Sequence, residues 1–130
     1  MDYKTQGKKN RAAGARFEAK VREDLEKQGW IVTRWMNQVD LEKEKLVPAK
    51  SNVFGSRTTG FPDFIILRRK EDGFEVIGVE VKMNKYLDPE ERKKCRWYLK
   101  NKIFDSIIIA SKPKRGEILY EVKGIKHFTR

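Results

Sequence analysis

Two apolar segments joined by a short polar stretch constrain this chain more than any other feature. Gly60-Phe61-Pro62-Asp63-Phe64-Ile65-Ile66-Leu67 and Phe74-Glu75-Val76-Ile77-Gly78-Val79-Glu80-Val81-Lys82 flank the turn Arg68-Arg69-Lys70-Glu71-Asp72-Gly73. Their β-branched and aromatic content, with a glycine closing the turn, predicts a β-hairpin. If the hairpin is symmetric about the Glu71/Asp72 boundary, Asp63 stands directly opposite Glu80. Opposed side chains on one face lie roughly 5 Å apart. Lys82 is two residues beyond Glu80, so strand alternation returns it to the same face. Asp63, Glu80 and Lys82 are expected to converge, while Phe64, Ile66, Val79 and Val81 enter a core on the other face. A bulge or a one-residue slip would change the register without necessarily ending the face sharing.

Acids on apolar strands are costly to bury without a partner. Two of them beside a lysine suggest a site for a hard divalent cation acting on phosphate. A structural salt bridge between Lys82 and the two acids is the competing explanation.

The 130 residues suffice for a single domain, 1–130, with one sizeable core. Lys+Arg number 30 against 19 Asp+Glu, a formal net charge of +11. Such an excess favours polyanionic partners, nucleic acid first. The single Cys95 excludes an internal disulfide and a cysteine-cluster zinc site. His127 is the only histidine, so His-based zinc sites and Ser-His-Asp triads lack parts. No run approaches ~18 apolar residues and no signal-like apolar stretch follows Met1, which predicts a soluble, intracellular protein with no membrane partner.

Residues 1–9 are polar and read as frayed. Ala13, Phe17, Val21 and Leu25 recur every four residues and predict a helix over 10–28, ended by Gly29. Glu18 sits at the edge of that stripe, where it can face a cleft or simply solvent. A strand follows over 30–35. The charged stretch 40–46 reads as a short helix stopped before Pro48, and 50–60 as a loop suited to approaching a phosphate backbone. After the hairpin, a helix is expected over 88–102, with Asp88 as N-cap, Pro89 at the first position, Glu90 and Glu91 in the first turn and Cys95, Tyr98 and Leu99 facing inward. The nearly continuous apolar run 104–110 predicts a buried, parallel strand. A basic turn over 112–116 and a last strand over 117–122 complete the chain. A hairpin followed by a strand-helix-strand crossover gives an α/β fold, a central mixed sheet flanked by helices.

With Phe61-Pro62-Asp63 followed by Glu80-Val81-Lys82, the chain resembles the PD-(D/E)xK nuclease superfamily, from the first helix to the last strand. The resemblance implies the restriction-endonuclease-like fold, an αβββαββ core. Within the superfamily it is most similar to archaeal Holliday-junction resolvases, whose helical glutamate matches Glu18 in Gly14-Ala15-Arg16-Phe17-Glu18 and whose Gly-Ser loop matches Gly55-Ser56. Gly60-Phe61-Pro62-Asp63 and Leu87-Asp88-Pro89-Glu90-Glu91 also resemble stand-alone VRR-type nuclease modules, which usually carry a glutamine where this chain has Glu91 or Arg92.

The resemblance implies Mg²⁺, or Mn²⁺ in its place, held by Asp63, Glu80 and the Val81 carbonyl, with Glu18 on a second ion or a metal-bound water and Lys82 orienting the nucleophile. Ser56 and Arg57 are candidate contacts to the scissile phosphate, and Lys85, Lys93, Lys94, Arg96, Lys112, Lys114 and Arg115 to the DNA backbone. The implied function is a metal-dependent, structure-selective DNA endonuclease of recombination and repair, a junction resolvase acting as a homodimer. Three alternatives stand beside it. The first is the same fold cutting flaps, ends or single strands, and the second a catalytically silent DNA-binding module. The third is a protein whose charge serves solubility, while metal-independent RNA cleavage through His127 is a more distant enzyme class.

Overall fold

The computed structural model describes residues 3–49 and 60–128, with side chains described from Asn10 onward. The first helix, α1, spans Tyr3–Lys27 and so begins well before the apolar stripe that announces it. Phe17, Val21 and Leu25 of that stripe are buried, each contributing roughly 1.5–3 kcal/mol of burial free energy. The helix stops in a left-handed glycine. Gly29 has φ 96°, its N–H donates to the Glu26 carbonyl (3.0 Å), and the Trp30 N–H donates to that of Leu25 (3.2 Å). That paired pattern satisfies carbonyls the last turn leaves open and turns the chain into the first strand.

Strands β1 (Ile31–Arg34), β4 (Phe64–Lys70), β5 (Gly73–Val81), β6 (Ser106–Ser111) and β7 (Leu119–Lys123) form one sheet in the order β1-β4-β5-β6-β7. A separate ribbon is made by β2 (Asn37–Asp40) and β3 (Lys45–Pro48). Helix α2 (Pro89–Lys100) connects β5 to the parallel β6, while the other sheet pairs are antiparallel. A 3₁₀ turn, Ile125–Phe128, ends the described chain and packs Phe128 under α2. The molecule is thus α/β, a mixed five-stranded sheet with a helix on each face.

The central hairpin has the register expected from its symmetry. Phe64 pairs with Val79 and Lys70 with Gly73, leaving a two-residue Glu71-Asp72 turn and placing Gly73 at φ 121°. The strands run further into the polar stretch than the sequence indicates, because Arg68, Arg69 and Lys70 still pair with Glu75, Phe74 and Gly73. Phe64, Ile66 and Val79 face α1 and pack with Phe17, Val21 and Leu25, with Val81 beside them. The opposite face packs Ile107, Ile109 and Phe104 against Cys95, Tyr98 and Leu99 of α2.

The short helix expected over 40–46 is instead the turn of the β2–β3 ribbon. Asp40 Oδ1 accepts the Lys43 N–H (3.1 Å) and Glu44 takes φ 50°, which reverse the chain. Helix propensity in this charged run is a weak preference. Val39 is buried, and Leu41 and Leu46 join it, in the core cluster that contains Cys95, Tyr98 and Leu99 of α2. A ribbon delivers all three to α2. Among the described residues no helix is long and apolar enough to cross a membrane.

Segment 60–63 is laced to the chain between β1 and β2. The Gly60 N–H donates to the Trp35 carbonyl, the Phe61 N–H to that of Asn37, and the Trp35 N–H to that of Asp63. A Cβ on Gly60 would fall well inside contact distance of the Trp35 and Asn37 carbonyl oxygens and 2.7 Å from the Asn37 nitrogen. These are backbone atoms, so relief requires moving the segment that carries Asp63. Gly60→Ala is expected to lower stability by about 1–3 kcal/mol in urea denaturation.

Candidate functional site

Asp63 immediately precedes β4, Glu80 is the last residue but one of β5, and Lys82 follows that strand. Where the β4–β5 ladder ends, the two acidic side chains carry on the cross-strand bonding. The Val81 N–H donates to Asp63 Oδ2 (2.9 Å) and the Asp63 N–H donates to Glu80 Oε1 (3.2 Å). Each carboxyl is therefore oriented by backbone rather than by a loose rotamer. Glu80 is only 6% exposed. Pro62, after a cis Phe61–Pro62 peptide, packs against Gly78, where a Cβ would lie 2.9 Å from its Cγ.

A buried tyrosine anchors this turn. The Tyr98 hydroxyl of α2 donates to the Phe61 carbonyl and accepts from Trp35 Nε1 (3.0 Å). Burial pushes the Tyr98 phenol up to about 12, against the pull of the Trp35 hydrogen bond. It therefore stays a neutral donor at neutral pH.

Burial raises both acids. Glu80 stands well above the ordinary carboxylate range, through burial first and then the charge and hydrogen bond of Asp63. Asp63 is raised by burial, while its bonds to Glu80 and the Val81 N–H and the charges of Lys82 and Arg34 oppose the rise. The pair therefore holds a proton more tightly than two exposed acids would. Burial also lifts the thiol of the nearby Cys95, and the Glu80 charge adds to it.

Lys82 does not bridge the two acids. Its Nζ lies 2.7 Å from Glu91 Oε2. Glu91 is the third residue of α2 and also completes the helix cap: its Oε1 accepts the Asp88 N–H (2.9 Å), and Asp88 Oδ1 accepts the Glu91 N–H (2.8 Å). One carboxylate thus fixes the start of α2 and the position of Lys82. Burial works to lower the Lys82 ammonium, but the hydrogen bond and charge of Glu91, followed by the charge of Glu80, outweigh it and the net direction is upward. Lys82 is a fixed cation.

Glu18 is brought to Arg34 of β1 (3.6 Å), in a cleft of about 800 Å³ between α1 and β1 that also reaches Arg11, Arg22 and Phe64. Arg34, whose charge acts on Asp63, connects that cleft to the acids. Ser56 and Arg57 lie outside the described residues. Lys94 supports the ribbon, donating to Gln38 Oε1 (3.1 Å) with Nζ 5.9 Å from the centre of the Phe61 ring. Lys93 and Arg96 line an outer groove of α2. Lys85, Lys112, Lys114 and Arg115 lie beyond the neighbouring ends of β5 and β6, where the Lys112 N–H donates to the Met83 carbonyl (3.2 Å). The described basic candidates thus occupy two surfaces, and only the second adjoins Lys82 along the chain. His127 Nδ1 accepts the Gly124 N–H (2.9 Å) in the last turn.

The donor set suits a hard cation. Asp63 and Glu80 offer oxygens alone, and among the described residues no three His, Cys, Asp or Glu side chains gather as a ligand cluster. Magnesium keeps several of its waters and needs only one or two carboxylates. Structural zinc sites close a tetrahedron with nitrogen and sulfur ligands, and catalytic ones use three protein ligands, more than this pair offers. Arg34, Glu91 and Tyr98 are the contributors that the sequence does not mark as site residues.

Two outcomes follow from these electrostatics. An acid whose folded pKa is raised stabilises the fold below its unfolded value, about 4 here, and that stability is lost as pH rises through the folded value. In EDTA the melting temperature of the wild type should fall relative to Glu80→Gln as pH rises above the ordinary carboxylate range. Mg²⁺ should restore it at pH 8 more than at pH 5, in the wild type only, with proton release on binding. Equal pH profiles for the two proteins would contradict the buried acid pair. Glu91→Gln keeps a cap acceptor but removes the charge paired with Lys82, so stability should fall by about 0.5–2 kcal/mol. The Lys82 ammonium should titrate lower in an NMR titration of its side chain.

The chain matches no protein-family model, no curated protein and no solved structure.

Proposed function

We propose that this chain is a Mg²⁺-dependent endodeoxyribonuclease of restriction-endonuclease-like fold, acting on branched or partly unpaired DNA. One observation carries it: two buried carboxyls are cross-bonded to backbone N–H groups at the end of a strand pair, with a fixed ammonium two residues further on. The order of elements supports the fold. With the ribbon set aside, it runs helix, three antiparallel strands, helix, parallel strand, strand, in agreement with an αβββαββ core.

Mg²⁺, or Mn²⁺ in its place, would supply an activated water and offset the charge of the pentavalent phosphorane. Asp63 and Glu80 would hold it, with the Val81 carbonyl as a third ligand. Lys82, kept protonated by Glu91, balances phosphate charge and orients the attacking water; it is not a neutral base. Glu18 serves the site through Arg34, which it holds beside the strand that Asp63 precedes. The net charge of +11 and the basic ends of β5 and β6 supply contacts to the DNA backbone. None of this reads base sequence, so recognition is by shape. A four-way junction needs two cuts related by symmetry, for which a two-fold homodimer is the economical solution. Flaps and single strands are the second substrate class, favoured by an exposed aromatic residue, Tyr86, in the turn that follows Lys82.

The test uses labelled four-way junction, flap, duplex and single-stranded DNA, with Mg²⁺ and with EDTA. Cleavage is expected only with metal. Asp63→Ala and Glu80→Ala should each lower it by on the order of 10²–10³-fold or more. Binding should hold or tighten, because affinity rests on Lys and Arg. Wild-type cleavage by the double variant would refute the site. Tight binding with no metal-dependent cleavage of any substrate would identify a silent DNA-binding module instead.

A further inference from the structure

The segment after Lys82 is a rigid turn. The Lys85 N–H donates to the Lys82 carbonyl (2.8 Å), Lys85 takes φ 65°, and Asn84 Oδ1 accepts the Tyr86 N–H (3.1 Å). The Lys112 N–H ties the turn to the end of β6 through the Met83 carbonyl (3.2 Å). This turn leaves Met83, Asn84, Lys85 and Tyr86 exposed. Tyr86 is 69% exposed, with Lys85 Nζ 5.6 Å from its ring centre.

A cleft of about 220 Å³ lies between this turn and the β6–β7 connection. Tyr86, Met83 and Leu119 line it, and they are 69%, 39% and 42% exposed. They are three of the eight large apolar side chains exposed among the described residues. Pro113 adds a further apolar wall, and Lys85 and Lys112 supply charge at the same cleft. An aromatic face and apolar walls bordered by lysines match a flat apolar ring attached to a phosphate. That is an unpaired nucleobase on a DNA strand.

We propose that this cleft takes an unpaired base, stacked on Tyr86, from the strand whose backbone reaches Lys82. Lys85 and Lys112 neutralise the flanking phosphates. A base inside a continuous duplex has both faces covered by its neighbours, so the cleft selects DNA that is single-stranded or frayed near the phosphate at Lys82. The proposal deepens the nuclease reading and takes from it the position of the scissile phosphate. Its test is made in EDTA on binding alone, so that it can fail while metal-dependent cleavage stands, and the reverse.

The full chain, Tyr86→Ala and Tyr86→Phe are titrated into a single strand and into a duplex of equal length. A 2-aminopurine in the single strand reports stacking by quenching. Tyr86→Ala should weaken single-strand binding about tenfold and abolish the quenching, with duplex binding changed by less than about twofold. Its salt dependence should stay as in the wild type, because no cation is removed. Tyr86→Phe keeps the stacking face and should behave as the wild type. Equal loss on both DNAs, unchanged single-strand binding by Tyr86→Ala, or no binding of either DNA would each overturn the proposal. So would an effect of Tyr86→Ala on self-association in place of strand binding.

Discussion

The antiparallel pairing of β4 with β5 is the constraint on which the rest of the molecule depends. A two-residue turn fixes its register, and a shift of one residue would send Phe64, Ile66 and Val79 to the wrong face. The same register brings Asp63 across from Glu80 and lets each accept a backbone N–H at the open end of the ladder. Core packing and site geometry are therefore set by one alignment. The apolar face supplies much of the free energy that holds the acidic face in place.

Three elements outside the hairpin finish the arrangement. The 60–63 segment is pinned to the Trp35–Asn37 backbone, and Tyr98 reaches in from α2 to hold the Phe61 carbonyl. The α2 cap holds Lys82 through Glu91. β1 brings Arg34 beside Phe64, adjacent to Asp63. α2 thus contributes twice, once through its apolar face and once through its first turn. Displacing it would release the ammonium and loosen the turn that carries Asp63 together.

The hairpin was legible in the sequence because alternation, a glycine-bearing turn and acids on apolar strands all point the same way. α2 was legible for a similar reason, since Asp88, Pro89 and Glu91 form a local signature that the structure keeps. The ribbon was not, because its two strands have four residues each and are held by burying Val39, Leu41 and Leu46 against α2, which no local pattern records. Glu91 was visible as a capping residue, but its second partner, Lys82, lies beyond local sequence reach. Tyr98 was readable as an inward residue, yet its hydroxyl serves a carbonyl 37 positions away. Arg34 gains its place from β1 pairing with β4 across a long intervening segment. Positions set by short-range chemistry could be read, and those set by long-range pairing could not.

Raised acids and a fixed cation divide the labour between stability and chemistry. Burying Glu80 opposes its ionised form, so the fold carries a strain above the ordinary carboxylate range that, on the proposed reading, a divalent cation would relieve. Lys82 cannot relieve it to the same degree, because Glu91 holds that ammonium on the helix cap. Had Lys82 bridged the acids directly, the three charges would satisfy one another and the drive to take up a metal would weaken. With Glu91 as its ion-pair partner, Lys82 acts on Asp63 and Glu80 through its charge alone, as Arg34 does on Asp63. A structural salt bridge would be organised the other way, with the lysine between the acids, and that difference is what the proposed metal site is argued from.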